Sequence, residues 1–165
     1  MINTISIVPY QHIFKDQVWQ LIITIQRDEF NVPITLADQP DLANIENFYQ
    51  KANGNFWCAL NPDNIVIGTI ALIDIGYQSG VIRKMFVRTD YRGGEIKTGQ
   101  QLLNILEHWA REKQIQTLYL GTIDRLLAAN RFYKRNAYEQ MDESQLPSYF
   151  PKMKVDNIFF RKEIA

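Results

Sequence analysis

Apolar positions along this chain change their spacing repeatedly, from every second residue to every third and fourth, and each change marks an element. Residues 4–8 alternate β-branched with smaller polar side chains and stop at Pro9, which predicts a first strand. Phe14, Val18, Leu21, Ile22 and Ile25 then recur at helical steps, so residues 12–26 should form an amphipathic helix. Pro33 and Pro40 bracket a loop, and Asp41 stands where it can cap a short helix carrying Ile45, Phe48, Tyr49 and Ala52, ended by Asn53 and Gly54. Residues 56–60 and 65–75 read as a hairpin about Asn61-Pro62-Asp63-Asn64, where Pro and the Asn/Asp side chains supply the turn. Gly68, inside the second run, predicts a bulge or a close backbone approach.

A second turn at Gln78-Ser79-Gly80 leads into a strand over residues 82–87, so three antiparallel strands are expected in succession. The period then turns helical, with Leu102, Leu103, Leu106, Trp109 and Ala110 marking a helix over residues 99–113. Residues 117–122 form the next strand, and the strand-helix-strand order predicts a parallel crossover. A helix over residues 125–136, capped by Thr122 or Asp124, precedes a strand from Ala137 and a last one over residues 155–161. Between those strands residues 141–154, with Pro147 and Pro151, read as a loop near a site. The expected fold is α/β: one domain over residues 1–165, a central, mostly antiparallel sheet with one parallel pair, and helices on both faces.

Composition narrows the partners. With 46% hydrophobic residues the chain can bury a core, and 18 basic against 18 acidic residues leave no electrostatic footprint for nucleic acid or an anionic membrane. Cys58 is a lone thiol, which forms neither an internal disulfide nor a cysteine metal cluster and points to a reducing, cytoplasmic setting. In its apolar run it reads as a small buried hydrophobe before it reads as a nucleophile. No apolar run reaches membrane-spanning length, and the N-terminus lacks the charged and hydrophobic regions of a signal peptide. His12 and His108 cluster with no Cys or carboxylate set at metal-ligand spacing, so no metal is expected.

The chemistry concentrates between Val81 and Leu103, a strand, a loop and a helix start. Arg92, Gly93, Gly94, Lys97 and Gly99 put cations and glycines where a helix opens. Glycines let backbone N–H groups approach a ligand, and a helix N-terminus favours anions, so the loop suits phosphate. An ordinary loop with solvated cations has the same local pattern, and neither GxxxxGK[ST] nor GxGxxG occurs. Asp28 and Glu29, at the end of the first predicted helix, oppose its dipole and are either solvated or kept for a ligand.

Met85-Phe86-Val87, then Tyr91-Arg92-Gly93 and, past Gly99, Leu102-Leu103 resemble the acyl-CoA-binding core of the GNAT family of N-acetyltransferases. Arg92 stands further upstream of the paired leucines than in that family, so the loop is longer here. A second stretch, from Ala129 through Phe132 and Tyr133 to Ala137-Tyr138, resembles the family's other signature in the right order. Leu126 stands where that signature has Asn, and Asn130, one turn later, is the substitute.

The resemblance implies an acetyl-CoA-dependent transfer of an acetyl group to a primary amine by direct attack, without a metal. It assigns cofactor contacts to Met85, Phe86, Val87, Arg92, Gly93, Gly94, Lys97, Thr98, Gly99 and Asn130, and makes Tyr133 the general acid. Many relatives carry a Glu where this chain has Val81, so the base is left among Asp28, Glu29, Asp74 and water. The acceptor is a small-molecule or peptide amine. The alternative is a CoA-binding sensor or interaction domain without catalysis. A C-terminal strand edge would allow a homodimer.

Overall fold

In the computed structural model, which describes residues 4–153 and 155–165, the alternating segments become seven strands. They are β1 (Ser6–Pro9), β2 (Asn55–Leu60), β3 (Val66–Gly76), β4 (Ser79–Val87), β5 (Thr117–Thr122), β6 (Glu139–Met141) and β7 (Ile158–Glu163). The helices are α1 (Lys15–Thr24), continued by a π-turn over Ile25–Glu29, then α2 (Pro40–Ala43), α3 (Ile45–Phe48), α4 (Thr98–Glu112) and α5 (Leu127–Arg135). One sheet takes all strands in the order β1-β2-β3-β4-β5-β7-β6. Only β4 and β5 run parallel; every other neighbouring pair is antiparallel. The C-terminal strand β7 is therefore interior, between β5 and β6, and the edge on that side is the three-residue β6.

Alternation along β2 divides the core in two. Trp57 and Ala59 join Ile70, Leu72, Ile82, Leu118 and Leu120 under α4 and α5. Phe56, Cys58 and Leu60 turn the other way and pack with Val18 and Ile22 of α1, Leu42, Ile45 and Tyr49. Helices thus cover both faces, and the central strands are buried on both sides, as layered α/β domains require. In α4 the stripe Leu102, Leu103, Leu106 and Ala110 is fully buried. Its close approach explains Gly68, where a Cβ would meet Leu102 Cδ1 at 3.2 Å and the Phe86 carbonyl at 3.3 Å, beside a register shift at Ala59/Leu60.

Local details depart from the expectations where tertiary contacts intervene. Pro40 takes the first position of α2, so Asp41 lies inside the helix. Its buried carboxylate accepts from the Tyr49 hydroxyl at 2.5 Å and pairs with Lys84 Nζ at 3.5 Å, and so does not cap. Neither Thr122 nor Asp124 caps α5, because Thr122 ends β5 and a turn from Ile123 to Leu126 intervenes.

The site is created by one irregularity. Thr69 pairs with Phe86 but Ala71 pairs with Arg83, so Lys84 and Met85 together oppose Ile70 in a bulge. Lys84 takes the left-handed conformation there, φ 53°. The parallel pairing of β4 with β5 ends at Ile82–Leu120, and beyond it the two strands part.

Candidate active site

The bulge decides which side chains face the gap. Ile82 turns under α4 and α5, and Arg83 turns to the opposite face. The extra residue keeps Lys84 on that opposite face too, where it meets Gln39 and Asp41, before Met85 returns to the first side. A cavity of about 160 Å³ fills the parting, bounded by β4 from Val81 to Phe86, by Gly121, Thr122 and Ile123, by Leu126, Ala129 and Tyr133 of the α5 region, and by Phe30, Val32, Phe150, Met153 and Asp156.

Tyr133 is buried on α5 and donates its hydroxyl to Met85 Sδ at 3.4 Å. Burial pushes its pKa up, so at neutral pH it keeps its proton and has one to give. On the same side Asn130 donates to the Ile123 carbonyl at 3.2 Å, while its Oδ1 is buried with no partner among the described residues. Thr98 Oγ1, fully buried at the start of α4, is likewise unpartnered. Such atoms ask for an explanation, and a polar ligand supplies one.

The loop into α4 presents Gly93 (φ 65°), Gly94 (φ 63°) and Lys97 (φ 51°) in the left-handed region, and no side chain caps the helix, so its first amides stay open to an anion. A Cβ on Gly99 would press on Met85 Cε at 3.2 Å, which makes this glycine the contact between α4 and β4. These residues fit a diphosphate with a polar chain leading toward Tyr133.

Arg92 is engaged elsewhere. Its Nε donates to the Val87 carbonyl at 2.6 Å, and its two terminal nitrogens grip Glu29 Oε1 and Oε2 at 2.6 and 2.9 Å, with Phe30 beside the guanidinium. Both Arg92 and the Val87 carbonyl are thus committed to tying the π-turn after α1 to the end of β4. Glu29 is held in that pair. Asp28 is exposed and outside the cavity lining. Asp74 accepts from the Asn53 and Gly76 amides at 3.2 and 2.9 Å, at the end of β3 where β4 and β5 are still paired. Cys58 is buried outside the cavity lining, with its pKa pushed up to about 12 by desolvation, as suits a small core hydrophobe. His12 and His108 are exposed, beside Glu46 at 3.4 Å and Glu112 at 2.7 Å.

A strand-helix-strand crossover, a bulge in β4 and a protonated tyrosine at the opening make up the site, and the fold that carries them is found in known proteins. The Acetyltransferase (GNAT) family model matches residues 19–138. The chain belongs to the GNAT family. A GNAT-family acetyltransferase from Staphylococcus aureus Mu50 is 38% identical, with a TM-score of 0.94 over 98% of this chain and 99% of that one. An acetyltransferase from Streptococcus agalactiae 2603 is 28% identical, with a TM-score of 0.92 over 96% and 98%. The PaiA N-acetyltransferase from Thermoplasma acidophilum, solved with coenzyme A, shares the fold at 15% identity, with a TM-score of 0.77 over 96% and 98%. No curated protein matches the sequence significantly.

Two side chains of this GNAT site carry no signal in the sequence. Strict alternation would give Lys84 the face of Ile82, yet it is buried on the opposite face, with desolvation lowering its pKa against the pull of Asp41. Asp156 lies in a stretch without periodicity and reaches the cavity only because the chain before β7 folds over Gly121. Among the described residues no group of His, Cys, Asp and Glu could hold a metal, and no helix is long and apolar enough to cross a membrane.

Proposed function

We propose that this GNAT protein transfers an acetyl group from acetyl-CoA to a primary amine by direct attack, with Tyr133 giving its proton to the departing sulfur. The observation that carries the reading is the buried Tyr133 hydroxyl, aimed at a sulfur atom on the wall of the parting between β4 and β5. The cofactor's diphosphate is taken by amides between Gly93 and Gly99 with Lys97 alongside, and Thr98 Oγ1 and Asn130 Oδ1 receive polar groups of the bound molecule. Met85 and Phe86 flank the thioester, and Arg92 shapes the site through Glu29 without touching phosphate. The acceptor is a small-molecule or peptide amine, and the balanced charge and single buried thiol suit work in the cytoplasm away from nucleic acid and membrane.

A ligand that binds the native fold stabilises it, by about 2.7 kcal/mol at a hundredfold excess over Kd, and so raises its melting temperature. Acetyl-CoA should therefore shift the melting curve upward where ATP and NAD do not, and free thiol should appear only when an amine is added. Absence of any shift with acetyl-CoA would overturn the cofactor assignment. A shift without thiol release across a broad amine panel would point instead to a binding domain without turnover.

A further inference from the structure

Asp156 occupies a position that needs a glycine opposite it. Its Oδ2 lies 2.3 Å from where a Cβ on Gly121 would stand, so β5 leaves that space for a carboxylate. Leu118 and Leu120 turn under α4 and α5, hence Gly121 turns to the other face of the sheet. Asp156 therefore borders the gap from the side opposite Tyr133. The cations facing it are Arg83 and Lys84 from β4 and Lys152 from its own segment, with the Met153 backbone also interacting. Each cation has another partner: Arg83 donates to the Pro151 carbonyl, Lys84 is held by Gln39 and Asp41, and Lys152 pairs with Glu143. Among the described residues no cation is in ion-pair contact with Asp156. The cavity it borders has an apolar side in Phe30, Val32, Ile34, Phe150 and Pro151, beside the polar Gln26 and Thr122 and the cations Arg83 and Lys84.

We propose that Asp156 receives the ammonium group of the acceptor and takes its proton, and that the acceptor is a monoamine on an apolar, ring-sized body. This rests on the acetyl-transfer reading above. A polyamine would bring further charges against Arg83 and Lys84, whereas an aryl or alkyl body fits the walls. Desolvation sets the proton affinity of Asp156, pushing its pKa up to about 6 against lowering by the Met153 backbone, Arg83, Lys152 and Lys84. It is thus ionised at neutral pH yet close enough to neutrality to serve as a base.

The protons balance. Asp156 removes one from the ammonium, and the freed lone pair attacks the thioester carbonyl carbon to form the C–N bond. The C–S bond breaks with its pair on sulfur, which takes the Tyr133 proton. The surplus N–H proton restores Tyr133 through solvent, and Asp156 releases its own to solvent. The products are amide, free thiol and one proton.

The test titrates 2-phenylethylamine calorimetrically into the full-length protein, alone and with CoA, at about pH 7.5. Asp156→Asn should weaken amine binding by about thirtyfold or more and leave CoA affinity within about twofold. Gly121→Ala, which displaces the carboxylate without removing it, should weaken the amine as well, and Asp156→Glu should recover part of the loss. Wild-type affinity for the amine should fall as pH drops through about 6, and spermidine should bind at least about tenfold more weakly. Unaltered amine binding in Asp156→Asn, a preference for spermidine, or no amine binding by the wild type in either state would overturn the proposal. Asp156-dependent amine binding in a protein that takes no CoA would support this site and sink the acetyl-transfer reading instead.

Discussion

Tyr133 keeps its proton because the surroundings offer a phenolate nothing: it is buried, flanked by Phe132, Tyr138 and Phe160, and its one polar contact among the described residues is a thioether. A hydrogen bond to Met sulfur is weak, so Tyr133→Phe removes little stability. If the hydroxyl protonates the leaving sulfur, that substitution should lower kcat about a hundredfold, keep acetyl-CoA affinity within about twofold and leave melting nearly unchanged. Stopped-flow thiol release with a good amine, beside calorimetry, separates these quantities, and undiminished turnover would remove Tyr133 from the mechanism. Its place on a buried face of α5 was legible in the sequence because it sits inside a recurring helical signature. Asp28, Glu29 and Asp74 lie near element ends, which is all that the sequence says of them. Proximity in sequence could not reveal that Arg92 crosses to Glu29 or that the Asp74 carboxylate is spent on two backbone amides.

At the scale of elements, the hairpin of β2 and β3, the run into β4, and α4 follow from the period of the apolar residues, since each must present one stripe or two faces to a core. The bulge in β4 does not. Its extra residue, Lys84, meets the distant pair Gln39 and Asp41 on the face that alternation would assign to Met85, partners that no local pattern reveals. The polar contacts of Asp41 likewise come from Tyr49 and Lys84, so a local capping rule misjudged it. Glycines record the closest approaches between elements. A Cβ on Gly54 would stand 2.4 Å from the Tyr49 carbonyl and 2.7 Å from the Leu72 carbonyl, both backbone atoms that no rotamer change can move. Gly54→Ala should therefore force the chain after α3 away from β3 and cost about 1–3 kcal/mol. Read as a lowering of Tm by roughly 2–12 °C, this is measurable by calorimetry. An unshifted melting curve would mean that the segment yields freely.

Over the whole molecule, a site that must hold a carboxylate in an apolar cleft stands against stability. Asp156 has its pKa raised from 3.8 to about 6 in the folded chain. The folded state therefore binds the proton more tightly than the unfolded one, and protonation favours folding. The sign follows: above about pH 6 the ionised group destabilises the fold, the penalty shrinks as pH falls toward 3.8, and below that it vanishes. A shift of this size corresponds to at most about 3 kcal/mol, less whatever partial solvation returns. Asp156→Asn keeps the shape without the charge, so at about pH 8 it should be more stable than the wild type by about 1–2 kcal/mol, while losing amine acceptance. The advantage should fade on titration to about pH 4, where both proteins carry a neutral side chain there. Urea unfolding of the two proteins at several pH values measures the difference directly. If Asp156→Asn were the less stable at about pH 8, or if the gap did not change with pH, Asp156 would be a structural anchor of the segment before β7, and the carboxylate would serve the fold and not the acceptor amine.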